Sequence, residues 1–254
     1  MTSRVIGVAL RPILLSAFLL LLSTAAAAQE RLTIDFENGA AAAGYNDVRI
    51  PGSGGTLFSL TDDLRSAGTY FWRVRLDYRV TNRNVLSALA APLSIDSGGT
   101  SGNDIVFMNE TFRAGTPLAA RYVFNSYRVT WRYEFVQNAS WRFGLGITAK
   151  IRDALTGLRG GGQAAEKRNV GFVPLVNFKL ERSLGRRAAF RLEGDALAAP
   201  QGRAEDVFAG LVFPVSRRVA VKAGYRLLEG GADVDEVYTF TAIHYAAVGA
   251  IVRF

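Results

Sequence analysis

The sequence predicts an all-β fold: a transmembrane, antiparallel, up-and-down β-barrel of about ten strands, with eight strands as the alternative. Three observations lead to this prediction. Charged and apolar residues alternate over stretches of about ten residues, as they do along strands that face lipid on one side and a lumen on the other. The connections between these stretches are alternately short and long. After residue 28, the chain contains no run of about 18 apolar residues that could form a membrane helix.

A secretory signal peptide is expected at residues 1–28. Arg4 and Arg11 form a basic start, an apolar run follows, and small residues up to Ala28 suit a cleavage site. The apolar run is shorter than the roughly 20 residues that a spanning helix needs. Loss of Arg4 and Arg11 would lower the formal charge of the chain from +8 to +6. Nucleic acid is not an expected partner of such an exported chain, and the absence of Cys excludes disulfides and thiol chemistry.

The clearest strand is expected at residues 71–80, FWRVRLDYRV. Arg73, Arg75, Asp77 and Arg79 occupy every second position there, with aromatic or aliphatic residues between them. A helix would spread these charges around its axis, whereas a strand places them all on one face. A charged face towards a lumen and an apolar face towards lipid explain this segment.

Eight further segments are expected to be strands, two of them less clearly patterned: residues 84–95, 127–135, 141–151, 171–181, 190–198, 207–213, 219–227 and 244–254. Bacterial barrels of a single chain have an even number of strands. A tenth strand is therefore expected before Thr69, and residues 55–63 are the candidate. Residues 29–54 are then expected to form a periplasmic lead-in, and residues 55–254 to form the barrel domain.

The connections predict the orientation of the barrel. Short turns are expected near Thr81, Gln137, Leu184 and Pro214, and long polar or Gly-rich loops from Asp96, Asp153, Ala199 and Glu229. Short periplasmic turns and long extracellular loops are typical of outer-membrane barrels. Aromatic residues beside the short turns are typical of the girdle at a membrane interface.

The chain ends in HYAAVGAIVRF, in which Val252 and Phe254 lie on the apolar face of the last strand. This ending resembles the C-terminal recognition strand of Gram-negative outer-membrane barrels, and the whole chain is similar to small barrels of the OmpA type. The resemblance implies a monomer in the cell outer membrane, surrounded by outer-membrane lipid and lipopolysaccharide. It also implies that the barrel assembly machinery is a partner during biogenesis.

Charged residues on the inner faces of the strands are the main candidate site. The basic members are Arg73, Arg75, Arg79, Arg128, Arg132, Lys150, Arg191, Lys222 and Arg226. The acidic members are Asp77, Glu134, Glu181, Glu193 and Asp195. Salt bridges among them would fill a narrow barrel. The excess of bases keeps a second interpretation open, an anion-preferring channel.

His244, the only histidine, is expected on the outer wall. This position resembles that of the histidine in outer-membrane lipid A deacylases, which carry a His-x-Ser pair there. Ala246 stands at the serine position, so no nucleophile is available for His244 to activate.

Two acidic segments complete the candidates. Residues 233–236, DVDE, could attract a divalent cation but more simply form a solvated loop. Residues 194–207 contain Asp195, Arg203, Glu205 and Asp206, and are expected to lock a loop over the mouth of the barrel.

The sequence thus predicts a porin-like, outer-membrane β-barrel with a salt-bridged lumen and a mainly structural or surface-interaction role. The alternatives are a narrow anion-preferring channel and a lipid A-modifying enzyme. An enzymatic activity, a cofactor and a metal site are not expected.

Overall fold

The computed structural model of the chain describes residues 30–254, and within them it contains fifteen β-strands. The strands are β1 Leu32–Arg49, β2 Phe58–Ser59, β3 Arg65–Ser66, β4 Thr69–Arg79, β5 Asn84–Ala91, β6 Ser94–Thr100, β7 Ile105–Phe107, β8 Glu110–Phe112, β9 Pro117–Gln137, β10 Trp141–Gly160, β11 Gln163–Ser183, β12 Ala189–Ala199, β13 Gly202–Pro214, β14 Val219–Val234 and β15 Val237–Arg253. Within this part of the chain, no helix is long and apolar enough to cross a membrane. The expected signal peptide lies outside the described residues.

Ten antiparallel strands form a closed barrel, so the predicted fold class and the predicted strand number are confirmed. Closure occurs between β1 and β15, which pair from Thr33 with Arg253 to Arg49 with Tyr238. β5 and β6 together form one wall strand, because both pair with β9 on either side of an interruption at residues 92–93. The other wall strands are β4 and β9 to β14, each paired with its neighbours around the barrel.

The first wall strand differs from the prediction. The lead-in assigned to residues 29–54 is wrong, because β1 occupies Leu32–Arg49 and pairs with both β15 and β4. Residues 55–63 contribute only the short β2 beside the end of β1, so the barrel begins at Leu32 rather than at Gly55. Alternation is weak in β1 because alanines at positions 40–43 suit either face, and a bulge near Gly44 shifts the pattern by one residue.

Three of the four predicted long loops are wrong. β10 and β11 continue to a tight turn at Gly161 and Gly162, which both adopt positive φ angles, +59° and +82°. β12 and β13 meet at residues 200–201, and β14 and β15 meet at residues 235–236. The ends of these strands contain many Gly and charged residues and lack clear alternation, and this composition suggested loops. Only the connection after Asp96 is long, and it contains the β7–β8 hairpin.

The two ends of the barrel differ. The terminal end carries the two ends of the described chain and the turns at residues 80–83, 138–140, 184–188 and 215–218. The loop end carries the remaining connections. Inside the barrel, charged side chains fill the part nearer the terminal end, and a cluster of buried apolar side chains fills the part nearer the loop end. The lumen therefore has two layers of opposite character.

Candidate functional site

The structure places all fourteen predicted lumen residues on wall strands with their side chains turned inward. Eleven are buried, and Asp77, Arg79 and Glu181 are partly exposed near the terminal end. The alternation that predicted this arrangement is clearest in β4, where Arg73 and Arg75 are buried and Trp72 and Leu76 are exposed.

Asp206 is the centre of the charged layer. One of its carboxylate oxygens accepts hydrogen bonds from Arg73 Nη2 at 2.8 Å and from Arg128 Nη2 at 2.5 Å. The other oxygen accepts from Arg226 Nη1 at 2.6 Å. Asp206 lies in β13 and is buried, so the prediction that it belongs to a loop lock is wrong. One carboxylate thus joins arginines from β4, β9 and β14 across the lumen.

Glu37 forms a second centre on β1. Its carboxylate accepts from Arg226 Nε at 2.6 Å and Nη2 at 2.9 Å, and from Lys222 Nζ at 2.7 Å. Lys222 also lies 2.6 Å from Asp35 Oδ1, and Arg191 Nη1 donates to Asp35 Oδ2 at 3.3 Å. The network therefore crosses the seam at which β1 closes the barrel against β15.

Further ion pairs extend the network on β9 to β12. Asp195 accepts from Arg128 Nη1 and from the Thr148 hydroxyl, both at 2.6 Å, and from Asn177 Nδ2 at 2.9 Å. Glu193 lies 3.4 Å from Arg75 Nη1 and 3.5 Å from Lys179 Nζ.

The remaining pairs lie nearer the terminal end. Arg191 donates to Glu181, with Nη2 at 2.7 Å. Arg79 Nη1 donates to Glu134 at 3.0 Å. Arg132 lies 3.7 Å from Asp77.

Lys150 is the one predicted member that the structure does not bring into an ion pair. Within residues 30–254, no carboxylate lies within 4.0 Å of its Nζ. The ammonium group instead lies 4.7 Å from the centre of the Phe124 ring, a distance that suits a cation–π contact.

Sequence reasoning missed four members of the network: Asp35, Glu37, Lys179 and Asp206. Asp35 and Glu37 alternate with Ile34 and Phe36, and this short pattern was the available signal for β1. With these four residues, the lumen set contains ten basic and eight acidic side chains, compared with nine and five in the prediction. The observed lumen is closer to neutral than the sequence suggested.

Two small cavities remain inside the barrel. One, of about 60 Å³, opens at the terminal end and is lined by charged side chains, among them Arg31, Asp77, Arg132, Lys179 and Arg253. The other, of about 10 Å³, lies between the charged and apolar layers.

His244 lies on the outer wall, as the strand pattern predicts, and is exposed. Its Nδ1 is 2.5 Å from the Tyr225 hydroxyl on the neighbouring strand. Ala246 is the next outward-facing residue of β15. Of the predicted acidic loop at residues 233–236, residues 233–234 are the end of β14 and residues 235–236 form a tight turn. In the part of the chain that the structure describes, no group of three or more His, Asp or Glu side chains is arranged to hold a metal ion.

The two residues of the predicted assembly signal lie at the seam of the barrel. Val252 is opposite Ile34 of β1, and Phe254 exchanges backbone hydrogen bonds with Leu32 at 2.8 and 3.3 Å. Both side chains are partly exposed on the outer wall. Their recognition during assembly stays a prediction.

No protein-family model matches the chain, and no curated protein sequence matches it. Several solved structures resemble it. The outer membrane protease OmpT from Escherichia coli has a TM-score of 0.53 and 9% identity, over 91% of this chain and 99% of that chain. An outer membrane channel from Pseudomonas putida F1 has a TM-score of 0.44 and 10% identity, over 91% and 98%. Ail, the attachment invasion locus protein of Yersinia pestis, has a TM-score of 0.40 and 12% identity, over 88% and 99%.

The fold is that of the outer-membrane β-barrel proteins. At these identities the similarity is one of fold alone.

Proposed function

We propose that the protein is an integral outer-membrane barrel with a closed, salt-bridged lumen and a mainly structural or surface-interaction role. A belt of exposed apolar side chains around the wall supports the membrane location; it includes Trp72, Leu76, Trp131, Ile147 and Val248. Both termini of such barrels face the periplasm. We therefore assign the terminal end to the periplasm and the loop end to the cell exterior.

The observation that carries this proposal is the apolar layer across the lumen. Leu60 and Leu64, from the connection between β1 and β4, are fully buried in the barrel. Ile105, Phe107 and Phe112, from the connection between β6 and β9, belong to the same cluster. Two loops thus fold inward and pack against the wall, so a hydrated ion has no path from the exterior.

The charged layer beneath the apolar layer supports the same conclusion. The cavity of about 10 Å³ between the layers has room for about one water molecule. The nearly balanced lumen charges satisfy one another rather than lining an open anion path. The channel interpretation requires both layers to move.

The surface above the membrane is the remaining place for a function. A membrane-spanning strand needs about 9–11 residues, whereas β9 and β11 have 21 residues each and β10 has 20. These three strands therefore rise well above the membrane. β11 pairs with β12 only over residues 176–183, so among the described residues the upper part of β11 has a neighbour on one side only. This raised sheet is the surface that we assign to interactions.

Single-channel recording in planar bilayers tests the closed lumen. The refolded protein, with insertion verified by protease protection of the barrel, is expected to give no discrete conductance steps, while a porin added to the same bilayer gives them. Stable, ion-selective steps from the protein itself would contradict the proposal. Loss of anion preference after neutralisation of Arg73 and Arg128 would then establish the channel alternative.

A further inference from the structure

The periplasmic edge of the barrel has a second concentration of charge, outside the lumen network. Two turns carry adjacent arginine pairs: Arg186 and Arg187 between β11 and β12, and Arg217 and Arg218 between β13 and β14. All four side chains are exposed. Within residues 30–254, no carboxylate lies within 4.0 Å of any of them. These positive charges therefore have no partner in the described chain.

The same charge continues around the closing seam. The Arg253 backbone N donates to the Arg218 carbonyl oxygen at 2.8 Å, and the Arg79 backbone N donates to the Arg31 carbonyl oxygen at 2.8 Å. Arg83 lies in the turn that follows β4. Neighbouring strands are about 4.8 Å apart, so these arginines form an arc of closely spaced like charges. Such an arc produces a positive potential that attracts anions.

Arg142 and Arg182 complete the set, which we call the arginine rim. The Arg182 guanidinium lies 4.9 Å from the centre of the Trp141 ring on the next strand. Apart from Arg79, whose side chain belongs to the lumen network, the rim contains nine arginines. Three of them, Arg31, Arg142 and Arg253, also line the charged cavity at the terminal end, whereas the two turn pairs and Arg83 and Arg182 do not. Its charge is uniform in sign and in residue type.

The depth of the rim indicates its partner. Leu184 and Val215 lie in the same turns as the arginine pairs and are 50% and 66% exposed, as lipid-facing side chains would be. The arginines are thus within three residues of the end of the apolar surface, at the level of lipid headgroups. They also surround the barrel, as the lipids do, instead of forming one patch for a protein.

We propose that the arginine rim binds the phosphate groups of anionic phospholipids in the periplasmic leaflet. Guanidinium groups present pairs of N–H donors that match phosphate oxygens. The bound lipids would neutralise the rim and hold the barrel at a fixed depth. This inference rests on the proposed membrane location.

Tryptophan quenching by brominated lipids tests the inference. In a W72F/W131F background, Trp141 is the remaining tryptophan of the chain and lies at the rim. Vesicles contain phosphatidylcholine and phosphatidylglycerol in equal amounts, with bromine on one lipid or on the other. We expect the ratio of phosphatidylglycerol to phosphatidylcholine beside Trp141 to be about five times the ratio in the bulk, since one arginine near a membrane surface contributes about that factor.

Two variants with equal loss of charge provide the comparison. R83Q/R182Q/R186Q/R187Q, which removes exposed rim arginines near Trp141, is expected to reduce the enrichment to near unity. R65Q/R113Q/R121Q/R159Q, at exposed positions of the loop end, is expected to leave it unchanged. Equal quenching by the two lipids in the parent protein would overturn the rim proposal. Quenching by neither lipid, in a protein that circular dichroism shows to be folded, would instead overturn the membrane location.

Discussion

Replacement of Asp206 by Asn removes the negative charge that joins three buried arginines, and we expect it to destabilise the barrel strongly. The side chain amide is nearly the same size as the carboxylate, so little packing is lost. The hydrogen bonds from Arg73, Arg128 and Arg226 to the Asp206 carboxylate, at 2.5–2.8 Å, are all charge-assisted. After the replacement, the three arginines would face one another with fewer acceptor atoms.

The magnitude follows from the burial of these groups. Asp206 and all three arginines are buried. Removal of one partner from a buried ion pair costs about 3–5 kcal/mol, because an uncompensated charge remains. Arg128 keeps Asp195, and Arg226 keeps Glu37, so part of the network survives. We therefore expect a loss of about 3 kcal/mol in the free energy of unfolding.

Urea unfolding in lipid vesicles, followed by tryptophan fluorescence, measures this loss. The matched control is Glu205→Gln, which removes a carboxylate from the adjacent residue of β13. Glu205 lies on the other face of the strand and forms no ion pair within residues 30–254, so its replacement should cost less than about 0.5 kcal/mol. A loss below about 1 kcal/mol for Asp206→Asn, or equal losses in the two variants, would refute the role given to Asp206.

Three further predictions concern the wall and the loop end. Gly39→Ala should destabilise the β1–β15 seam by about 2 kcal/mol, since its Cβ would lie 2.1 Å from a carbonyl oxygen of β15 and its φ is +147°. Gly68→Ala is the control, because its Cβ would lie at an ordinary contact distance of 3.8 Å from the Ala41 carbonyl oxygen, and urea unfolding compares the two variants. The pKa of Asp96 lies below its ordinary value of 3.8 because Arg121 donates hydrogen bonds to the carboxylate. The pair of Asp96 and Arg121 therefore contributes its full stability at pH values above 3.8, and this contribution is lost as the pH falls through the lowered pKa. Arg121→Gln should return that pKa towards 3.8, and an unchanged carboxyl NMR titration would count against the pairing. His244→Ala should leave the mass of lipid A in the host membrane unchanged, and a mass that depends on His244 would support the enzyme alternative.

The alternation of charged and apolar residues predicts a strand well where each face of the strand has the same environment along its whole length. β4 is the clearest case: residues 71–80 were expected and Thr69–Arg79 form the strand. Every second residue there is charged because the inner face meets the charged layer, and the outer face is apolar because it lies in the exposed belt. The same reasoning placed Arg128, Arg191 and Arg226 in the lumen.

Alternation fails where one strand passes through several surroundings. The upper half of β11 is exposed along most of its length, and that of β10 mixes charged and Gly residues with the buried Leu158, so residues 153–169 resembled a loop. In β1, small residues hide the pattern over four positions. Asp206 was missed because it lies where the polar end of β13 begins, immediately before Val207, and this end resembled a loop. Which arginine meets which carboxylate depends on register across the lumen, and no local pattern contains that information.

The structure also shows where the excess of basic residues lies. The sequence shows a basic excess, which kept an anion path through the lumen open as an alternative, but the lumen is nearly balanced once Asp35, Glu37 and Asp206 are included. The strand ends and turns of the loop end carry more carboxylates than basic side chains, and Asp96, Asp153 and Glu229 there are paired with arginines. The excess therefore lies at the arginine rim, at the terminal end of the barrel. A channel would concentrate unpaired positive charge along its axis, whereas this barrel neutralises its axis and places the unpaired charge around its terminal end.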